Sequence, residues 1–182
     1  MQPDIEELVG TVRHLKDRQD ILDCIQKECR ARDRQDAVQI TACWWPDGVD
    51  EHGAVITRIP DYAARANMGH KMLFNMTSHN ITNHLCDING DTAHCESYVL
   101  GGLFWQDNER TTMAFGRYLD RLERREGEWR LHTRKCTIEM SADADGSWVF
   151  SDNVKGFLKA RWDGEDPSDT RPYVAGTEGL RW

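Results

Sequence analysis

The hydrophobic period of this chain changes once, and that change decides what it can build. Up to about residue 75 apolar residues recur at helical spacing; from Met76 onward they alternate with polar ones. Leu8, Val12, Leu15, Leu22, Ile25 and Cys29 lie three or four residues apart, or twice that, and predict one amphipathic helix over about 4–31. ARDRQDAVQITACWW restarts a helix with Ala37, Ile40, Thr41 and Trp44 on one side, and Pro46-Asp47-Gly48 stops it. VDEHGAVI reads as a short extended segment. A third helix over 60–75 opens with Pro60 in its first turn and Asp61 at the positive end of its dipole. Four strands follow over 78–88, 92–105, 111–125 and 128–141. Asn89-Gly90-Asp91 and Arg125-Glu126-Gly127 supply tight turns between them, and residues 106–109 a looser one. Helices first and an antiparallel meander afterwards specify an α+β domain. That domain is expected over 1–147. Residues 148–182, polar and rich in Gly, Pro and Asp from Asp163, form an extension packing on it or on a neighbouring subunit.

Charge narrows the partners. The net charge of −8 argues against nucleic acid, whose phosphates need clustered Lys and Arg. The basic run 117–134 is broken by Asp120, Glu123, Glu126 and Glu128, which suits a solvated strand pair. No long apolar run and no signal-peptide core is present, so a soluble, cytoplasmic protein with no membrane partner is expected. The six cysteines include no C-x-x-C pair and read as reduced, small apolar residues.

The stretch MTSHNITNHLCDINGDTAHCESY concentrates three of the seven histidines. On a regular strand His79, Ile81, Asn83 and Leu85 share one face and Asn80, Thr82 and His84 the other, so His79 and His84 cannot chelate one ion. With no H-x-H, H-E-x-x-H or C-x-x-C motif, no metal site is expected. His79 opens its strand on an apolar face, where a neutral imidazole can serve as a general base if a carboxylate fixes its tautomer. A packed histidine bonded to a backbone carbonyl fits the same spacing. Asp33, Asp36 and Asp47 are the carboxylates on offer, and Asp33 could equally be a helix cap.

R-x-D-R-Q-D, A-C-W-W-P-D-G-V-D-E-H-G, S-H-N-I-T-N-H, D-I-N-G-D-T-A and G-R-Y-L-D-R-L-E-R-R-E-G-E-W-R, in that order, resemble SnoaL-like proteins of the nuclear-transport-factor-2-like superfamily over about residues 15–140. The resemblance implies a cone: a curved, mixed or antiparallel sheet wrapped by N-terminal helices around an internal pocket. Hexachlorocyclohexane dehydrochlorinase, scytalone dehydratase and bile-acid dehydratase, lyases of this superfamily, carry an Asp–His pair whose places correspond to Asp33 and His79. It further implies no metal or organic cofactor and a homotrimer. Where the dehydratases carry pocket tyrosines this chain has Cys29, Arg30 and Arg32. His52, in D-E-H-G, is either a second proton carrier or a tie for the β-turn. Arg134, on a mostly apolar row, could pair with Asp33 or stabilise a developing anion. Trp44, Trp45, Trp105, Cys29 and Ile81 are expected in the pocket wall, suiting a flat, hydrophobic substrate. The expected activity is elimination of water or halide, or a retro-aldol-like cleavage, with isomerisation a near neighbour. The alternatives are a non-catalytic assembly subunit, like the β subunits of ring-hydroxylating dioxygenases, or a small-ligand carrier.

Overall fold

Helix α1 (Ile5–Asp33) is the longest element of the computed structural model, which describes residues 4–176 and 178–182. Only its C-terminal half serves the core. Ile21, Cys24, Ile25 and Cys29 are buried, whereas Leu8, Val12 and Leu15 of the same predicted stripe face solvent. Gln35 turns the chain with a left-handed φ of 58°. Asp36 then caps α2 (Ala37–Ala42), its carboxylate accepting the Gln39 N–H at 2.9 Å.

Pro46-Asp47-Gly48 does not stop a helix. Helix α2 ends at Ala42, and Trp44 and Trp45 open strand β1 (Trp44–His52). This strand pairs antiparallel with β2 (Val55–Arg58) and parallel with β6 (Glu128–Asp145), and its register against β6 shifts between Trp44 and Val49. A Cβ on Gly48 would lie 2.9 Å from the carbonyl oxygens of Trp45 and His132, so this irregular stretch requires glycine. Helix α3 (Asp61–Leu73) leads straight into β3 (Phe74–Asn89), followed by β4 (Thr92–Trp105) and β5 (Arg110–Arg125). The sheet order is β2-β1-β6-β5-β4-β3, mixed, curved and unclosed. Ile21, Ile25, Ile40, Trp44, Leu122 and Leu131 form the heart of the core. Each fully buried aliphatic side chain there contributes about 1.5–3 kcal/mol relative to exposure.

Two of the sheet's four register shifts in the β3–β4 and β5–β6 pairings bear on the site. Between the pairs Ile81↔Val99 and His84↔Ser97, β3 carries one residue more than β4. His79 and Ile81 therefore point inward, and so do His84 and Cys86, while Leu85 is 64% exposed; simple alternation fails here. Between Arg121↔Thr133 and Leu122↔Leu131 the extra residue lies on β6. It places Leu131 and Arg134 on one buried face and moves His132 off it. After a 3-10 turn (Ser147–Phe150) the chain returns across the domain and bridges Leu158 to Arg181. No helix among the described residues is long and apolar enough to cross a membrane.

Candidate active site

Where α1 ends, its last residue, Asp33, faces Thr77 and His79 in the first half of β3. Because Asp36 caps α2, the Asp33 carboxylate is left to β3 and takes three hydrogen bonds from it. Oδ1 meets His79 Nδ1 at 2.6 Å and accepts the Thr77 hydroxyl at 3.0 Å; Oδ2 accepts the His79 backbone N–H at 2.7 Å. Burial opposes ionisation of Asp33, but the bond to the His79 ring, that ring's charge, its backbone N–H and Thr77 together hold the carboxyl below its ordinary value. A carboxylate on Nδ1 fixes the tautomer and leaves Nε2 as the nitrogen that can exchange a proton.

His79 forms part of the wall of a cavity of about 540 Å³ enclosed by α1, α3 and the concave sheet face; Asp33 stands behind it. Much of the wall is apolar: Ala66, Leu73, Phe74, Val99, Leu103 and Ala114. A polar group interrupts it, made of Arg32, Asp50, His52, Tyr62 and His70. His70 stacks on His79, ring centroids 5.7 Å apart and planes at 11°. Burial, followed by the charges of Arg32 and His79, pushes His70 down to about 3, so it faces His79 as a neutral ring. Burial pushes the Asp50 carboxyl up to about 6, against the pull of Arg134 and Arg32. Asp50 Oδ1, Arg32 Nε and His70 Nδ1 are buried without a hydrogen-bond partner among the described residues. Such atoms are costly to bury unpaired.

Arg134 points inward, as its row suggests, but not to Asp33. It is fully buried, forked onto Asp120 at 2.7 and 2.8 Å, with its third contact to Glu28 at 2.5 Å. Glu28 also accepts the Tyr62 hydroxyl, which takes a bond from Arg32. Arg134 thus sits one layer beneath the cavity, whose wall carries the guanidinium groups of Arg32, Arg65 and Arg117. His52 lines the cavity near its rim, 46% of its side chain exposed and Nδ1 3.9 Å from Asp50. The five expected wall residues are corrected: Trp44, Trp45, Cys29, Ile81 and Trp105 do not line the cavity. Trp44 and Trp45 are consecutive residues of strand β1: Trp44 is core packing beneath Tyr62, and Trp45 donates to the Glu123 carbonyl at 2.9 Å. Cys29 is buried on α1, Ile81 packs on the core cluster, and Trp105 packs edge-on against Phe74 while its indole bonds Thr112. Asp47 lies at the surface, paired with Arg125 at 2.9 Å. Sequence reasoning missed Asp50 and His70 as wall residues, and named Arg32 only as standing where the dehydratases carry pocket tyrosines. The alternation of Asp50 with His52 on β1 was the available signal for one of them.

The SnoaL-like domain family matches residues 13–135. The chain belongs to that family. No functionally curated protein matches it. Among solved structures, LinA is similar at 20% identity and a TM-score of 0.69, over 74% of this chain and 93% of that one. A hexachlorocyclohexane dehydrochlorinase, LinA-type3 from Novosphingobium barchaimii, aligns at 18% identity and 0.68, over 74% and 94%. A protein provisionally described as a scytalone dehydratase from Novosphingobium aromaticivorans aligns at 19% and 0.67, over 74% and 91%. At these identities the likeness establishes the cone fold and leaves the chemistry to the site.

Proposed function

We propose that this protein is a lyase acting on a hydrophobic, aromatic or polycyclic small molecule, with its own side chains supplying the proton transfer. One observation carries the reading: an imidazole in the wall of a largely apolar cavity, its inner nitrogen held 2.6 Å from a buried carboxylate. Nε2 of His79 takes a proton from the substrate, and the imidazolium that forms is stabilised by ionised Asp33. From carbon, the released electron pair becomes a double bond as the group on the adjacent atom leaves with its own pair. From a hydroxyl, the pair becomes a carbonyl as a carbon–carbon bond breaks; the electrons of that bond stay on the other carbon as an enolate-type anion, which takes the proton back from the imidazolium. A leaving hydroxide takes the proton back from the imidazolium and departs as water, which returns His79 to its starting state.

The polar group at Arg32, Asp50 and His70 favours an oxygenated substrate over a halogenated hydrocarbon, because a halide makes a poor partner for three unsatisfied polar atoms. Dehydration, or cleavage next to a hydroxyl, is therefore the preferred branch. The names of the structural neighbours, a dehydratase and a dehydrochlorinase, agree with elimination chemistry. A homotrimer and a cytoplasmic location belong to the same reading, and sedimentation at three times the chain mass checks the first.

The test is a screen of hydroxylated aromatic and polycyclic ketones for mass loss of water or formaldehyde, with halogenated analogues alongside. His79→Ala and Asp33→Asn are expected to slow turnover by about 10²–10⁴-fold while the fold is retained. Full activity in both variants overturns the mechanism. Tight binding of screened compounds without turnover makes the protein a carrier instead.

A further inference from the structure

We propose that His84, Cys86 and Cys95 form a binding site for one zinc ion, apart from the cavity. The β3 bulge creates the cluster. By bringing His84 and Cys86 to the inner face, it sets Cys86 directly opposite Cys95 and His84 directly opposite Ser97 in the β3–β4 register. One ligand atom from each of the three residues lies within 4.8 Å of the other two. Zinc–sulfur bonds of about 2.3 Å and zinc–nitrogen bonds of about 2.0 Å place tetrahedral ligand atoms roughly 3.5–3.8 Å apart. Modest side-chain rotations close that difference.

The surroundings are those of a ligand set. Ser97, fully buried, holds His84 Nδ1 at 2.9 Å, the kind of outer contact that fixes a metal-bound imidazole. Nε2 of the same ring is buried and has no partner among the described residues. Arg18 fixes the strand by donating to the Cys86 carbonyl at 2.8 Å. Two thiolates and an imidazole select a soft or borderline ion and reject magnesium or calcium. Both cysteines are buried and His84 is half-buried, so the ion approaches past the imidazole and a water completes the four ligands on that side. Binding exchanges the two S–H protons for Zn²⁺, releases both to solvent, and leaves two thiolates, a neutral ring and a dication, a centre of zero net charge. None of the three residues lines the cavity, so the site is independent of the proposed elimination. It joins β3 to β4 just beyond the bulge.

The test titrates the full chain, reduced and freed of metal by a chelator that is then removed, with Co²⁺ and afterwards Zn²⁺. One equivalent of Co²⁺ is expected to give thiolate-to-cobalt charge-transfer absorption and the d–d bands of a tetrahedral ion, both abolished by Zn²⁺. Cys95→Ser removes the charge-transfer band, and Ser97→Ala, which keeps every ligand, weakens Zn²⁺ binding by about 10–100-fold. Cys136→Ser, outside the cluster, changes neither. Should Cys95→Ser fail to fold, X-ray absorption on zinc-loaded wild type decides, with two sulfurs and one imidazole nitrogen expected. No saturable charge-transfer band in wild type, or a zinc shell without sulfur, overturns the proposal and leaves two packed, reduced cysteines.

Discussion

The indole N–H of Trp162 donates to the main-chain carbonyl of Asp33 at 2.8 Å, so the C-terminal segment is fastened to the residue that grips His79. Arg34 donates to the same oxygen at 2.8 Å, and Arg30 reaches Ser168 and Asp169. The tail therefore packs on the end of its own α1. Trp162→Phe keeps an aromatic side chain, though a smaller one, and removes the bond, a loss of about 1 kcal/mol of local anchoring. Turnover is expected to fall several-fold with KM little changed, because the base loses alignment and the cavity wall is intact. Steady-state kinetics on a converted substrate would check this; an unchanged kcat shows that the tail has no hold on the pair.

Asp50 should cost stability at neutral pH. Its carboxyl, ordinarily near 3.8, is pushed by burial up to about 6. Below about pH 4 it is protonated in both the folded and the unfolded chain and contributes nothing. Between about 4 and 6 the unfolded chain releases its proton while the folded one keeps it, so stability falls as pH rises, by up to about 3 kcal/mol above pH 6. His70 has the opposite slope: its unfolded ring takes a proton as pH drops below about 6.5, while the folded ring, pushed down to about 3, does not. Comparing Asp50→Asn with wild type cancels the His70 contribution. The variant is expected to be more stable at pH 7 and no more stable at pH 3.5, by urea unfolding at each pH. Equal gains at both values would show that Asp50 titrates normally in the fold.

How far the sequence disclosed this site follows from what local patterns record. The shift from helical to alternating period is written in every segment, so the element order was readable. Asp33 was placed at the end of the first helix, where it lies, whereas His79, expected to open its strand, is the sixth residue of β3. Which of Asp33 and Asp36 caps the next helix was not readable, since both residues suit the role and the turn at Gln35 decides it. The bulges at 82–83 and 132 insert one residue each without a distinctive residue type, and they reverse the facing of the residues that follow, on β6 as far as the next shift at 139. That is why Leu85 was placed inside and why the neighbourhood of His84, Cys86 and Cys95 was invisible. The tryptophans at 44 and 45 were misplaced for a related reason. A parallel pairing of β1 with β6 is a long-range fact, and no spacing within residues 37–48 announces it.

Arg134 should matter for stability far more than for chemistry. It is enclosed by Asp120, Glu28 and the Tyr118 ring, whose centroid is 3.9 Å from the guanidinium carbon. Replacing it alone leaves two buried carboxylates without their cation, a loss of about 3–5 kcal/mol. Arg134→Met combined with Glu28→Gln and Asp120→Asn removes the stranded charges and is expected to recover part of that loss. Denaturant midpoints of the single and triple variants test the coupling. A single variant as stable as wild type would mean that the buried pairs contribute no net stability.

Arg32 is the residue through which substrate choice is expected to be exercised. Its guanidinium lines the cavity and is held in place by Tyr62 at 2.5 Å, while Nε is buried and unpaired among the described residues. A substrate oxygen bound at this position gains a charge-assisted hydrogen bond, and an analogue lacking that oxygen strands the buried donor. That difference is about 1.5–3 kcal/mol, so the oxygenated compound should be preferred by roughly 10–100-fold in kcat/KM. Arg32→Met fills similar space without the donor, so the preference should shrink toward unity, with the larger change on the oxygenated substrate. Because Arg32 also supports Tyr62 and Glu28, both rates will fall with any disordering of the wall; their ratio is insensitive to that loss. An unchanged ratio in Arg32→Met would place the substrate oxygen elsewhere in the cavity, with Asp50 or His70 as its partner.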